Sequence, residues 1–324
     1  MKPFRKNVAI AIDGGGIRGI IPARALSMLE QKVGRSSHDI FRLVAGTSTG
    51  SLIAAGIATG LGAEKIHQQY VTLGQDVFRP SLQTFLWPLF NHRYPVKPLE
   101  EILSQAFGKR TLQDFWEAQP QTDMVITIFD VVENRTRFLK PWKTEYRNWP
   151  LVKAVLASSA APTYFPSVDG RFVDGGVGSY GNPAYLAAFE ILYFLGREDQ
   201  GAERWRPEET TLISLGTGRD PNQIKRGDID RYFPIQWINP LLDAFLRSAD
   251  DQQVFLVKTF FEQLDFRRFQ VDLKTVIGLD DASMIPDLNK YGEELGRMLL
   301  DDDLDRAQSI IPAQMPRQRK SSKG

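Results

Sequence analysis

Two apolar runs, each breaking into glycine and passing straight into a helix-compatible segment, limit this chain to one broad architecture. Val8-Ala9-Ile10-Ala11-Ile12 ends in Asp13-Gly14-Gly15-Gly16. Leu43-Val44-Ala45, within a strand read over Phe41 to Ala45, ends in Gly46-Thr47-Ser48-Thr49-Gly50. Short continuous apolar runs suit strands buried on both faces, as in a parallel sheet. After the first run, Pro22 to Val33 spaces Ala25, Leu26, Leu29 and Val33 as a helix does, with Pro22 in a permitted first turn. Ser51 to Leu61 reads as a second helix and Ala63 to Val77 as an amphipathic third. Met124 to Val132 and Thr210 to Leu215 read as strands, Arg171 to Val173 as a strand end, and Leu151 to Ala157 and Ala184 to Leu195 as helices. Strands alternating with helices predict an α/β domain with a mainly parallel central sheet. The C-terminal third is mostly helical in pattern.

Composition narrows the function classes. Lys and Arg number 40 against 39 Asp and Glu, so no excess positive charge favours nucleic acid as a partner. The absence of cysteine excludes disulfide scaffolds, cysteine-ligated zinc and cysteine nucleophiles. The apolar stretch after Lys2, Arg5 and Lys6 is too short for a signal peptide, and no run reaches the roughly 18 apolar residues of a membrane-spanning helix. These features predict a cytoplasmic protein. No repeat or Gly/Ser linker divides the chain, so residues 1–312 read as one domain. Its motifs lie within 7–220, a helical part covers 221–312, and 313–324, with Arg317, Arg319 and Lys320, reads as a disordered basic tail.

The placement of Ser48 follows from the physics of a sharp strand-to-helix turn. Such a turn raises its central residue and leaves no room for side chains beside it, which Gly46 and Gly50 provide. The unpaired N–H groups and positive dipole end of the following helix favour developing negative charge there. Gly14, Gly16 and Gly19 also satisfy G-x-G-x-x-G, the dinucleotide fingerprint. Asp13 carries the wrong charge for a pyrophosphate, however, and no acidic residue closes the second strand to meet a ribose. The other use of Gly14-Gly15-Gly16 is an oxyanion hole, whose backbone donors each contribute roughly 3–4 kcal/mol in the transition state. Arg18 then either adds positive potential or forms a structural ion pair.

An activated serine needs a base. Of His38, His67 and His92, only the last two follow Ser48, one on a helix face and one in the irregular segment 79–98. Asp174, closing a short apolar strand ahead of Gly175-Gly176, is the better placed group. Asp-Gly-Gly is compatible with a simple hairpin turn. With no suitable histidine, though, a serine nucleophile at 48 requires a carboxylate, giving a Ser–Asp dyad in which Asp174 takes and returns the serine proton.

With these residues in hand, the sequence resembles the patatin-like phospholipase family. The matches fall in order: "DGGGIRG" at 13–19, "GTSTG" at 46–50, "ASSAAPTYFP" at 157–166, "DGG" at 174–176 and "LISLGTG" at 212–218. The resemblance implies a three-layer α/β/α fold, Ser48 as nucleophile, Asp174 as base and the Gly14–Gly16 backbone as oxyanion hole. It implies hydrolysis of fatty-acyl esters of phospholipids or glycolipids with neither metal nor cofactor. Two readings stand beside it: a carboxylesterase or acyltransferase acting on soluble esters with the same dyad, and a dinucleotide-binding protein. Within "LQTFLWPLFNHRY" at 82–94, Phe85, Trp87 and Phe90 beside His92 and Arg93 have the composition of a membrane-interface contact. That predicts peripheral contact with a lipid surface, at the inner face of the membrane.

Overall fold

A computed structural model of the protein describes residues 1–79, 81, 84, 91–118, 122–194, 205–221 and 227–305. Its strands are β1 (Asn7–Ile12), β2 (Leu43–Thr47), β3 (Asp123–Asp130), β4 (Arg135–Leu139), β5 (Phe172–Asp174), β6 (Thr210–Leu215) and β7 (Asp265–Phe269). They form a sheet ordered β4-β3-β2-β1-β6-β7, with β5 also on β3. The pairs β1–β2, β1–β6, β2–β3 and β6–β7 are parallel, while β4 and β5 run antiparallel to β3.

The helices are α1 (Ile20–Val33), α2 (Ser37–Ile40), α3 (Thr49–Ala58), α4 (Ala63–Asp76), α5 (Lys97–Phe107), α6 (Leu112–Trp116), α7 (Leu151–Ser158), α8 (Ala184–Phe189), α9 (Ile238–Phe260) and α10 (Ile285–Asp301). Side chains alternate across a strand, so β1 serves two different cores. Val8, Ile10 and Ile12 face the larger one, built with α1, α3, α4, α5, α7 and α10. Ala9 and Ala11 face the smaller one, where Ala184, Ala187 and Ala188 of α8 and Val257 of α9 pack. Small residues on both sides let α8 lie close to the sheet. Each fully buried branched side chain contributes about 1.5–3 kcal/mol. The result is the expected α/β/α layering.

Several boundaries differ from the sequence reading. The strand read over Met124 to Val132 stops at Asp130, because its Oδ1 accepts from the N–H groups of Val132 and Glu133 at 3.2 and 3.1 Å and turns the chain. The helix read over Ala184 to Leu195 changes at Glu190 into a wider π turn through Phe194. The C-terminal third, read as mostly helical, contributes β7. Its Arg267 and Arg268 hid the strand because both are buried against carboxylates, Arg267 on Asp265 of the same strand and on Asp302, Arg268 on the distant Asp13.

From β1 the chain builds outward to β2, β3 and β4, then crosses back to add β6 and β7 on the other side of β1. That reversal opens a crevice beyond the C-terminal ends of the parallel strands. The glycine loop after β1 and the turn after β2 both lie there.

Candidate active site

Ser48 occupies the turn between β2 and α3 with φ 54° and ψ −125°, a conformation that costs a non-glycine residue of order 1–3 kcal/mol. The turn is tight. A Cβ on Gly46 would collide with the Gly50 carbonyl, and one on Gly50 with the carbonyls of Ile12 and Asp13. The strained backbone is held by hydrogen bonds on both sides. The Ser48 carbonyl accepts from Ser51 N–H at 2.9 Å and Ser51 Oγ at 2.6 Å, and the Ser48 N–H donates to Ser158 Oγ at 2.9 Å.

Asp174 reaches the same place along β3. Register pairs Thr47 with Thr127 and Asp174 with Ile128, so β2 and β5 abut end to end on one edge of β3. Two residues far apart in sequence thereby follow consecutive positions of one strand. The Asp174 carboxyl is fully buried. Its Oδ1 accepts from Gly176 N–H at 2.8 Å, and Gly175 packs against Thr127. Burial pushes its pKa up to about 6, partly opposed by the Ser48 hydroxyl and the Gly176 N–H. Oδ2 has no well-formed hydrogen bond to any described residue. The Ser48 hydroxyl is thus near enough to act on the carboxyl without being well aligned to it, as catalytic pairs often are before substrate arrives.

Both side chains line one narrow cleft, with room inside for about 50 Å³. Its walls are Leu52, Leu73, Val77, Phe78, Leu99, Tyr164, Phe165 and Leu279, with Ser159 and Ala161 from the "ASSAAPTYFP" stretch. Asp174 is the one acidic or basic side chain on that wall among the described residues.

The glycine loop forms another side of the cleft. Gly16 has φ +59° and lies so close to the Leu279 carbonyl that a Cβ would collide with it. Gly15, Gly16 and Thr49 line the cleft, and their N–H groups donate to no backbone carbonyl among the described residues. Gly14 departs from the expectation: its N–H donates to the Gly181 carbonyl at 2.8 Å, so it is not free to bind an oxyanion. Its carbonyl accepts from Thr217 Oγ1 at 2.6 Å, so Gly14 anchors the loop at both atoms.

Arg18 forms a buried ion pair with Asp220 at 2.9 Å, the structural alternative of the two read from sequence. Asp13 is likewise absorbed into structure. Arg268 Nη1 donates to its Oδ1 at 3.0 Å, and the same guanidinium reaches Ser214 Oγ at 2.9 Å and Asp250 Oδ2 at 2.7 Å. Burial raises the Asp13 pKa to about 7 against the pull of Arg268. With Asp13 and the Gly14 N–H both engaged, the loop offers poor terms to a dinucleotide.

Among the described residues no histidine lines the cleft. His38 Nδ1 is 2.9 Å from the Ile57 carbonyl, and His67 Nε2 is 2.6 Å from Asn289 Oδ1. Phe85, Trp87 and Phe90 lie outside the described residues. Arg93, next to them in sequence, pairs with Asp280 at 2.6 Å and stacks 4.7 Å from the Tyr164 ring. Among the described residues no helix is long and apolar enough to cross a membrane, and no cluster of His, Cys, Asp or Glu has metal-binding geometry. Sequence reasoning missed Ser158 and Arg268. The "ASSAAP" stretch was a signal for the first, whereas nothing near Arg268 in sequence pointed to Asp13.

The chain is similar to several known proteins. An "Intracellular phospholipase A2" of Caenorhabditis elegans is 32% identical over 243 residues, covering 72% of this chain but only 21% of that protein's length. "Patatin-17" of Solanum cardiophyllum is 30% identical over 320 residues, covering 85% of this chain and 79% of the relative. Among solved structures, VipD from Legionella pneumophila aligns over 93% of this chain and 67% of its own, at 13% identity and a TM-score of 0.47. The family model described as Patatin-like phospholipase matches residues 10–188, more than half of the 324 residues, and the chain belongs to that family.

Proposed function

We propose that the protein hydrolyses fatty-acyl esters of membrane lipids through a covalent acyl-enzyme on Ser48, with Asp174 as general base and acid. The observation that carries this reading is the end-to-end placement of β2 and β5 on β3. It delivers the raised hydroxyl and the unpartnered Oδ2 of Asp174 to the wall of one apolar cleft. Ser48 Oγ bonds to the ester carbonyl carbon as its proton passes to Asp174, and the carbonyl oxygen becomes an oxyanion facing the N–H groups of Gly15, Gly16 and Thr49. Collapse breaks the bond to the leaving alcohol, which takes the proton back from Asp174. Water then attacks the acyl-enzyme, giving its proton to Asp174 and thence to Ser48 Oγ as the fatty acid departs. The apolar walls favour an acyl chain over a small polar ester, and a relative named phospholipase A2 and a family described as patatin-like phospholipase support lipid over soluble substrates.

Wild-type protein is expected to release fatty acid from phosphatidylcholine vesicles with EDTA present, and Ser48→Ala to be at least about 10³-fold slower. Loss of wild-type turnover on chelation, or retained turnover in Ser48→Ala, overturns the proposal. Efficient cleavage of short p-nitrophenyl esters without vesicle hydrolysis selects the soluble-ester reading.

The pH dependence follows from the same carboxyl. Asp174 must be ionised to accept a proton, and its pKa is raised to about 6. The kcat/KM profile should therefore be level above that value and fall about tenfold for each pH unit below it. An acid limb near 4 in a pH titration with a short ester means that another base is at work.

A further inference from the structure

We propose that Ser158 is a positioning residue that, together with the Ala160 carbonyl, sets the distance between the nucleophile and its base. The inference rests on the Ser48–Asp174 reading and extends it to the hydroxyl behind the turn. Ser158 is the last residue of α7 and is fully buried. Its hydroxyl donates to the Thr127 carbonyl at 2.8 Å, which orients a lone pair toward the Ser48 N–H at 2.9 Å. Two residues later, the Ala160 carbonyl accepts the Asp174 N–H at 3.1 Å. One short segment thus grips the backbone amide of both members of the pair. It is also tied to Thr127, whose neighbour Ile128 is the register partner of Asp174.

The energetic need for this grip comes from the turn itself. Ser48 holds a positive φ that its side chain disfavours, so its amide relaxes unless something over-determines it. A backbone hydrogen bond within α3 cannot serve, because the amides ahead of the first helical turn have no intrahelical acceptor. A side-chain hydroxyl buried behind the turn can, and Ser158 is the one placed there. Removing it strands two buried polar groups, the Ser48 N–H and the Thr127 C=O. The turn then relaxes along the direction that moves Ser48 Oγ relative to Asp174. The acyl-binding walls, made of other residues, stay in place.

Ser158→Ala is therefore expected to lower kcat for a short p-nitrophenyl ester at least tenfold while KM stays within twofold. The acid limb of its pH profile should rise, because the Ser48 hydroxyl no longer holds the Asp174 pKa down. Ser158→Cys nearly preserves volume and replaces a strong acceptor with a weak one, so it should fold and fall in the same direction. A folded Ala or Cys variant with lower thermal stability but wild-type kcat and acid limb overturns the inference, leaving Ser158 a packing residue. Ser48→Ala and Asp174→Asn, assayed alongside, separate the two levels. Turnover in either overturns the dyad itself, whereas silence in both with a normal Ser158→Ala overturns only the positioning role.

Discussion

Asp174→Asn should lower hydrolysis of phospholipid vesicles by about 10³-fold or more and, at pH 8, raise the melting temperature by several degrees. The activity loss follows from removing the proton acceptor while keeping the shape. The stability gain follows from burial. A carboxyl whose pKa is raised from 3.8 to about 6 by folding is ionised in the unfolded chain at a pH where the folded protein resists ionising it. Below 3.8 both states are protonated and nothing is lost. Between 3.8 and about 6 the folded state holds the extra proton, so stability falls as pH rises, and above about 6 the whole penalty is present. The displacement corresponds to about 3 kcal/mol, which the neutral amide avoids. Its carbonyl can still accept from Gly176 N–H. Calorimetry at pH 8 and pH 4 should show the gain at the former and little at the latter. A variant less stable than wild type at pH 8 contradicts the burial argument even if it is inactive.

The second large effect is expected at Gly16. Alanine there suffers twice, from φ +59° and from collision with the Leu279 carbonyl, which already accepts the Ile17 N–H at 2.8 Å and cannot swing away freely. The loop must shift, carrying the Gly16 N–H out of line with the oxyanion. Loss of one such donor costs about 10²–10³ in kcat. Gly34→Ala is the matching control. It has the same left-handed backbone, φ +68°, at the end of α1, but open space around the added carbon. Gly34→Ala should lose stability by about 1 kcal/mol and keep its kcat. Gly16→Ala with kcat within tenfold of wild type on a short ester removes the loop from the oxyanion hole.

The legible parts of the site were those where geometry and sequence coincide locally. Gly46 and Gly50 flank Ser48 because strand end and helix start touch, and that contact is written within five residues. Asp174 was legible by its turn and by the lack of a usable histidine. Gly14 misled because a glycine required for close approach looks the same in sequence as one presenting a free amide, and only the position of Gly181 distinguishes them. β4 and β7 were hidden by arginines, which read as surface until their carboxylates are found: Asp130 for Arg137, Asp13 and Asp250 for Arg268. Ser158 was hidden for a related reason. A buried hydroxyl declares itself only through partners, and its partners are 110 and 31 residues away.

The pairing of Asp13 with Arg268 has a consequence for how the chain comes off the ribosome. The carboxylate that opens the glycine loop is translated 255 residues ahead of the guanidinium that neutralises it. A nascent chain halted after residue 220 has every residue of the proposed reaction centre yet lacks β7, so the first strand ends on a charge with no counter-ion in its interior. Assembly of the reactive loop must then wait until residue 268 has been made. Stalled chains of that length should be cut by protease around residues 13–19, and chains extended past residue 268 should resist.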